Sequence, residues 1–238
     1  MSSPFLYPTV RAGARVALSA LATVRREGLS NLPDSGGVLL LPNHQSALDP
    51  FLVQAWAPRR VHSMTKSTQF ASGFMRWVVP RLGGFPVRRY RIDPQSVRVV
   101  LRLLGEGEVV CIYPEGERTW DGTLQPFRRG TLRVALSALA QGHDVLPVGI
   151  EGMYDVLPRW GRPRRHPGEV FVRYGAPMAP PGPLRSRRER DMALPVFEAE
   201  LRRRLLDLSG EGHRPIERWP GSERPTERTG APGPHPRV

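Results

Sequence analysis

Short apolar runs that end in polar residues constrain the fold of this chain more than any other feature of its sequence. Residues 38–41 form an uninterrupted apolar run that follows two glycines and leads into Asn43 and His44. A second run, at 109–113, is followed closely by Glu115. Continuous apolar strands are typical of a parallel sheet that is covered on both faces. We therefore predict an α/β fold with a mostly parallel sheet flanked by helices. Polar side chains are expected at the carboxyl ends of its strands, where open α/β sheets bind their ligands.

The first of these strand ends carries a histidine and an aspartate, His44 and Asp49. On a continuous helix of 3.6 residues per turn, their side chains would point roughly 140° apart. They can meet only if His44 lies in an irregular turn, which the sequence favours because Asp49 is a good N-cap and Pro50 suits the first helical position. His44 is therefore a candidate base and Asp49 the carboxylate that orients it. The alternative is that Asp49 only caps the helix and that His44 is an ordinary polar residue.

The composition is that of a globular protein rather than one that spans a membrane. The chain has 238 residues, of which 39% are hydrophobic, and its mean hydropathy is -0.36. No window reaches the roughly 18 uninterrupted apolar residues of a membrane-spanning helix. Cys111 is the single cysteine, which excludes an intrachain disulfide and is typical of a reducing compartment. The N-terminus lacks the compact apolar core and cleavage site of a secretory signal, so none is expected.

The chain is strongly basic, with a formal net charge of +13 and a pI near 11.3. Arginine supplies almost all of the positive charge, because Lys66 is the only lysine. Guanidinium groups bind phosphate in a bidentate manner, which favours phosphorylated substrates and anionic lipid as partners. Nucleic acid is the rival partner, and part of the arginine excess can reflect genomic composition alone.

Residues 5–27 are predicted to form a helix with a weak amphipathic stripe. One interpretation is an interfacial helix on an anionic bilayer, and the other is a helix packed on its own domain. Pro147 predicts an edge or bulge position for the strand that contains it. The residues beyond 209 are rich in Pro, Gly, Arg and Glu, which predicts a disordered tail. Further strands are predicted at 61–65, 109–113, 144–150 and 169–174, and further helices at 94–107, 131–141 and 185–208.

Four blocks of polar and glycine-containing sequence follow one another along the chain. They are Asn43-His44 through Asp49 (an HX4D motif), Gly83 through Arg89, Tyr113-Pro114-Glu115-Gly116-Glu117-Arg118-Thr119, and Leu146 through Ile150, with a further match at 127–130. In this order the blocks resemble the 1-acylglycerol-3-phosphate acyltransferase family of glycerolipid acyltransferases. The resemblance covers residues 38–150, with a weaker match over 28–175. We accordingly divide the chain into an N-terminal amphipathic helix at 1–27, an acyltransferase domain at 28–209 and a disordered tail at 210–238.

The resemblance implies a role for each member of the histidine–aspartate pair. His44 is expected to act as a general base that takes the proton from an acceptor hydroxyl as it attacks an acyl thioester. Asp49 is expected to hold the imidazole tautomer and to stabilise the imidazolium that forms. Because the substrate's own hydroxyl is the nucleophile, neither Ser46 nor Cys111 is required as one.

The other blocks are expected to bind substrate. The expected substrate-binding residues are Arg89, Arg88 and Lys66 for the acceptor phosphate, and Glu115, Gly116 and Arg118 for the rest of the acceptor, with Asn43 and Pro147 in supporting roles. Two residues depart from the family pattern, since Tyr113 stands where Phe is usual and Glu117 where a small residue or Thr is usual. The first adds a hydroxyl that needs a partner. The second adds a negative charge beside the expected phosphate site, which argues against a phosphate-bearing acceptor but not against acyl transfer.

The resemblance implies an O-acyltransferase that moves a fatty acyl group from acyl-CoA or acyl carrier protein to 1-acylglycerol 3-phosphate, giving phosphatidic acid. No metal or other cofactor is expected. The alternatives are the same chemistry on another lysophospholipid, an amino-acid lipid or a glycolipid, a non-catalytic basic protein that binds membrane or nucleic acid, and a thioester hydrolase. The expected partners are the lysophospholipid acceptor, the acyl donor and an anionic membrane surface, with no nucleic acid. The expected location is peripheral, on the cytoplasmic side of the membrane.

Overall fold

A single sheet of seven strands organises the part of the chain that the computed structural model describes, which is residues 6–66, 73, 85–87, 94–165 and 168–210. The strands are β1 (Thr23–Glu27), β2 (Val38–Pro42), β3 (Val61–Lys66), β4 (Phe85–Val87), β5 (Val109–Cys111), β6 (Asp144–Glu151) and β7 (Glu169–Tyr174). Their order across the sheet is β1-β7-β6-β2-β5-β3-β4. The neighbours from β6 to β4 pair in parallel, whereas β7 is antiparallel to β6 and pairs in parallel with β1. This confirms the predicted α/β fold with a mostly parallel sheet.

Helices cover both faces of this sheet. They are α1 (Leu6–Leu21), α2 (Asp49–Trp56), α3 (Pro94–Gly105), α4 (Arg129–Ala140), α5 (Met153–Val156) and α6 (Arg187–Ser209), with a 3-10 turn at Leu29–Asn31. Val38 and Leu40 of β2 face one core, which α1 and α2 complete, while Leu39 and Leu41 face the other, which α3, α4 and α6 complete. All four side chains are fully buried, which explains why the run at 38–41 is apolar at every position.

The N-terminal helix is shorter than predicted, because α1 ends at Leu21 and residues 23–27 form the edge strand β1. The predicted helix over 5–27 is therefore wrong beyond Leu21. Pairing with β7 overrides the weak helical pattern there, and Arg25 on β1 forms an ion pair with Glu169 on β7 at 2.6 Å. Strand pairing between residues so distant in sequence is not visible in a local pattern.

Helix α1 packs on its own domain, as one of the two interpretations of the sequence predicted. Leu18 is buried in the core that α1 shares with α2. Arg11 and Arg15 donate from their Nε atoms to the carbonyl of Ala55 at 2.9 and 2.6 Å, and so satisfy the C-terminal end of α2. A bilayer contact through the outer face, where Val16 is 73% exposed, stays a prediction. None of the helices in the described ranges has the length and apolar character needed to cross a bilayer.

Pro147 lies in β6, which is a central strand and not the edge strand predicted. Its carbonyl accepts from the Gly175 amide at 2.9 Å, just beyond the first β6–β7 pair, Val148 with Tyr174. The nitrogen of Pro147, which has no hydrogen to donate, faces the same side as its carbonyl, and the antiparallel ladder begins only at the next residue, Val148. Position 149 is a glycine because α6 lies against it. A Cβ at this position would be 2.3 Å from the Leu208 carbonyl carbon. The fourth block thus has packing roles in this fold.

Candidate active site

The turn after β2 is tied to the neighbouring strand by two buried amide side chains. Asn43 Nδ2 donates to the Ile150 carbonyl at 2.9 Å, and the Ile150 amide donates back to Asn43 Oδ1 at 2.6 Å. Gln45 Oε1 accepts from the amides of Met153 and Tyr154 at 3.1 and 3.3 Å, at the start of α5. These bonds fix the turn between two strand ends. Gln45 was not singled out from the sequence, where only its place within the first block hinted at a role.

His44 and Asp49 meet in this turn, with 2.8 Å between His44 Nδ1 and Asp49 Oδ2. The same carboxylate oxygen accepts from the backbone amides of Gln45 and Ser46, each at 2.7 Å. Asp49 is fully buried and His44 is 7% exposed. With the Nδ1 proton donated to Asp49, the lone pair of a neutral imidazole lies on Nε2, which is the arrangement of a general base.

Asp49 reaches His44 because it does not cap the helix. Helix α2 begins at Asp49 itself, Leu48 is the N-cap residue, and no side chain caps the first turn. The predicted N-cap role of Asp49 is therefore wrong, whereas Pro50 lies in the first turn of the helix as predicted. The carboxylate instead turns back toward the amides of Gln45 and Ser46, and these two donors hold it in place for the imidazole.

Glu115 holds the backbone of His44 from the next strand end. Its Oε1 accepts from the His44 amide at 2.6 Å, and its Oε2 accepts from the Gln125 amide at 2.8 Å. The Thr119 amide donates to the His44 carbonyl at 2.7 Å. Both polar groups of the His44 peptide are thus bound by the segment that follows β5. Glu115 is buried, so its carboxylate joins the two strand ends into one rigid site.

Tyr113 stacks on the imidazole of His44, with 3.9 Å between ring centroids and 24° between the planes. Burial, the Cys111 thiol and the Asp49 carboxylate together raise the pKa of Tyr113 well above its usual value, so the phenol stays protonated. Within the described part of the chain, the hydroxyl meets only the weakly accepting thiol of Cys111. Tyr113 therefore has a hydroxyl that the usual Phe would lack, while its ring stacks on His44.

Cys111 is unsuited to nucleophilic catalysis. It is fully buried in β5, and burial raises the pKa of its thiol to about 12. A raised pKa keeps the neutral thiol dominant across the physiological range, whereas the thiolate is the nucleophile. Ser46 is also buried, and its hydroxyl accepts from the Leu48 amide at 3.2 Å. Both observations agree with a mechanism in which the acceptor itself attacks.

The negative charge of Glu117 is balanced by two arginines. Its carboxylate forms ion pairs with Arg128 at 3.1 Å and with Arg159 at 3.0 Å. Arg128 also covers Gly116, whose φ of 72° favours glycine and where a Cβ would lie 2.8 Å from the arginine side chain. Neither arginine was predicted as part of the site: Arg128 stood only within the further match at 127–130, and only the folded chain brings residue 159 to residue 117.

The structure brings together some of the predicted substrate-binding residues. Glu115 contacts His44, Gly116 follows it under the side chain of Arg128, and the half-buried Arg118 accepts a hydrogen bond from Arg159 through its carbonyl. Lys66 ends β3 at the same edge of the sheet.

Other predictions concern residues that the structure leaves out. Arg88 and Arg89 lie outside the described residues, as does all of the tail after 210. In the described ranges no three His, Cys, Asp or Glu side chains are grouped so that they could hold a metal ion.

The stacked tyrosine gives a first testable expectation. Tyr113→Leu removes an aromatic face that stabilises a cationic imidazolium, so we expect kcat to fall up to about tenfold. The acidic limb of the pH–rate profile should move to lower pH, because a less stable imidazolium loses its proton more easily. Tyr113→Phe keeps the ring and should behave like the parent. Identical pH profiles for the Leu and Phe variants would show that the stacked ring has no such role.

Comparisons with known proteins match the part of the chain that contains this site. The acyltransferase family model matches residues 23–151, which include His44, Asp49 and Glu115. A 1-acyl-sn-glycerol-3-phosphate acyltransferase of Bacillus subtilis is 27% identical over 165 residues, or 69% of this chain and 78% of that protein. The chloroplastic LPAT1 enzyme of the same name from Arabidopsis thaliana is 28% identical over 164 residues, or 67% of this chain. The chain spans only 44% of the Arabidopsis protein.

A solved structure shares the fold. The crystal structure of the 1-acyl-sn-glycerophosphate acyltransferase PlsC from Thermotoga maritima superposes with a TM-score of 0.63 at 25% identity. The match covers 84% of this chain and 78% of the Thermotoga chain. The family model spans more than half of the 238 residues and contains the whole histidine–aspartate turn. On these grounds the chain belongs to the acyltransferase family.

Proposed function

We propose that this protein transfers a fatty acyl group from an acyl thioester, acyl-CoA or acyl carrier protein, to the free hydroxyl of 1-acylglycerol 3-phosphate. The observation that carries the proposal is the buried pair of His44 and Asp49, 2.8 Å apart and held at a strand end. A pair of this kind activates a hydroxyl for attack on an acyl carbon. The names of the Bacillus and Thermotoga relatives support the choice of acceptor.

The proposed reaction uses His44 twice. Its Nε2 takes the proton from the acceptor hydroxyl while the oxygen bonds to the thioester carbonyl carbon. Asp49, through Nδ1, stabilises the resulting imidazolium. The tetrahedral intermediate then collapses, the carbon–sulfur bond breaks, and the departing thiolate takes the proton from His44. The products are phosphatidic acid and a free thiol, and the histidine returns to its neutral form.

The acceptor phosphate is assigned to cationic residues of the second sequence block and to Lys66. We assign it to Arg89, together with Arg88 and Lys66, and the remaining acceptor contacts to Gly116 and Arg118. Glu115 already accepts from two backbone amides, so the proposal gives it a positioning role, and its contact with an acceptor hydroxyl stays a prediction. Because Arg128 and Arg159 balance Glu117, that residue does not oppose an anionic acceptor.

The test is thiol release by the purified protein, with a long-chain acyl-CoA and a panel of acceptors. Cys111 is the only cysteine and is buried, so a thiol reagent reports the released CoA and not the protein. We expect release to depend on lysophosphatidic acid, with phosphatidic acid as the lipid product. A lysophospholipid without a phosphate monoester, an amino-acid lipid and a glycolipid should each support release at least about tenfold more slowly, since a charged phosphate–guanidinium contact is strong.

Any other outcome of the thiol-release assay would contradict one specific part of the proposal. Release with a different acceptor would keep His44 and Asp49 but reject the assigned phosphate site. Release without any acceptor would indicate a hydrolase. If neither acyl-CoA nor acyl carrier protein supports release with any acceptor, acyl transfer itself is wrong.

A further inference from the structure

We infer that the loop after β6, residues 157–165, docks the protein onto an anionic lipid bilayer beside the catalytic turn. The inference rests on the proposed function, because a lysolipid acceptor resides in a bilayer. The loop is defined as Leu157 to Arg165. It follows the short helix α5 and contains one exposed tryptophan, four arginines and no acidic residue.

The topology places this loop at the catalytic edge of the sheet. Strands β6, β2 and β5 are parallel neighbours, so the segments that follow them emerge at the same edge. The segments after β2 and β5 carry His44 and Glu115. Tyr154 lies in α5, in the segment that follows β6. Its amide donates a hydrogen bond to the Gln45 side chain, and its hydroxyl donates one to the Trp120 carbonyl at 3.3 Å. The helix that leads into the loop is thus connected by a hydrogen bond to the turn that holds His44.

Arg159 holds the loop against the site. Its guanidinium lies 3.8 Å from the ring centre of Trp120 and 5.4 Å from that of Trp160, and it pairs with Glu117 at 3.0 Å. The two indole rings are 5.7 Å apart. Most of Arg159 is buried in this cluster, so its charge is used within the protein. The contacts position Trp160 at the rim of the site.

Trp160 is 68% exposed although it is a large apolar side chain on a supported loop. Indole rings favour the interface between water and lipid head groups, where an apolar body and a polar N–H are both satisfied. Arg162 and Arg165 beside it are exposed, and Arg164 is exposed while donating to the Asp155 carbonyl at 3.1 Å. Clustered basic residues around an exposed tryptophan are suited to an anionic bilayer.

The first experiment measures sedimentation with vesicles. Vesicles of phosphatidylcholine alone are compared with vesicles that contain phosphatidylglycerol. We expect the full chain to bind the anionic vesicles, and the double variant Arg162→Glu/Arg165→Glu to bind them at least about tenfold more weakly. The control Arg185→Glu/Arg188→Glu reverses two exposed charges near the start of α6 and should bind within about twofold of the parent. Equal binding by the loop variant and the control would overturn the inference.

A second experiment places Trp160 itself. Lipids with brominated acyl chains quench tryptophans that enter the bilayer interface. We expect anionic brominated vesicles to quench part of the emission of the parent and much less of the emission of Trp160→Phe, which keeps an aromatic ring. Equal fractional quenching of the two proteins would show that Trp160 stays in water.

Kinetics separate a failure of this inference from a failure of the proposed function. With lysophosphatidic acid dispersed in detergent, the loop variant should release thiol at the parental rate, whereas with vesicle-embedded acceptor it should be slower. If no protein releases thiol but vesicle binding still depends on Arg162 and Arg165, the docking surface stands and the proposed function fails. If the loop variant loses binding to RNA and keeps binding to vesicles, the surface recognises nucleic acid and the inference is wrong.

Discussion

His44→Ala is expected to lower kcat by about 10²- to 10⁴-fold, the contribution typical of a positioned general base. The imidazole is the group placed to take the hydroxyl proton, and an alanine offers no replacement for it. KM for the acceptor should change little, because the side chain acts on the proton and not on the head group. Thiol release at saturating acyl-CoA and lysophosphatidic acid measures the loss.

The control for this substitution is a second histidine, which is half-buried. His62 lies on β3 and pairs with Glu108 at 3.3 Å, away from the turn after β2. Burial and then the nearby Arg60 lower the pKa of His62, so at neutral pH it is mostly uncharged. His62→Ala should therefore retain near-parental kcat. Far-UV circular dichroism and thermal unfolding establish that both variants fold. A well-folded His44→Ala protein with near-parental turnover would eliminate the base mechanism.

The central strands of the sheet could be predicted from the sequence because burial on both faces produces a local apolar pattern. The residues at 38–41 are apolar at every position since helices cover both faces of β2, and that pattern is local. The polar residues that follow β2 and β5 converge because parallel strands end at the same edge. This convergence is why Glu115 could be placed near His44 from the sequence alone.

The features that could not be predicted from the sequence depend on contacts that local side-chain patterns do not show. Edge strand β1 exists through its pairing with β7, more than a hundred residues away along the chain. The bonds that let Asp49 turn back involve backbone amides, which leave no mark on side-chain patterns. The two arginines that balance Glu117 come from residues 128 and 159, so a departure that looked unfavourable in sequence is compensated in the fold.

These contacts show how the fold serves the proposed chemistry. His44 is held at its amide by Glu115, at its carbonyl by Thr119, at its ring edge by Asp49 and on its ring face by Tyr113. A base held in this way needs little rearrangement when the proton moves, which favours the transition state over the ground state. Variants that loosen any one of these contacts should therefore reduce kcat more than they raise KM.

Asp49→Asn is the second substitution with a large expected effect. Comparable exchanges in a Ser-His-Asp triad lower kcat by about 10⁴, and we expect a loss of about 10³- to 10⁴-fold here. An asparagine can still accept from Gln45 and Ser46 through its oxygen, so the turn should keep its shape. The same oxygen then faces His44 Nδ1 as a neutral amide carbonyl, which carries no negative charge to stabilise the imidazolium.

The design of this test separates the charge of Asp49 from its structural role. Asp144→Asn makes the same chemical change at the amino end of β6, the opposite end of the sheet from His44, and should leave kcat unchanged. If Asp49→Asn unfolds at a temperature close to that of the parent while kcat falls, the carboxylate acts on the imidazole. If it folds normally and keeps more than about a tenth of the parental kcat, the triad analogy fails. His44 would then work without a charged partner, and the amides of Gln45 and Ser46 would be the reason that Asp49 is buried in the turn.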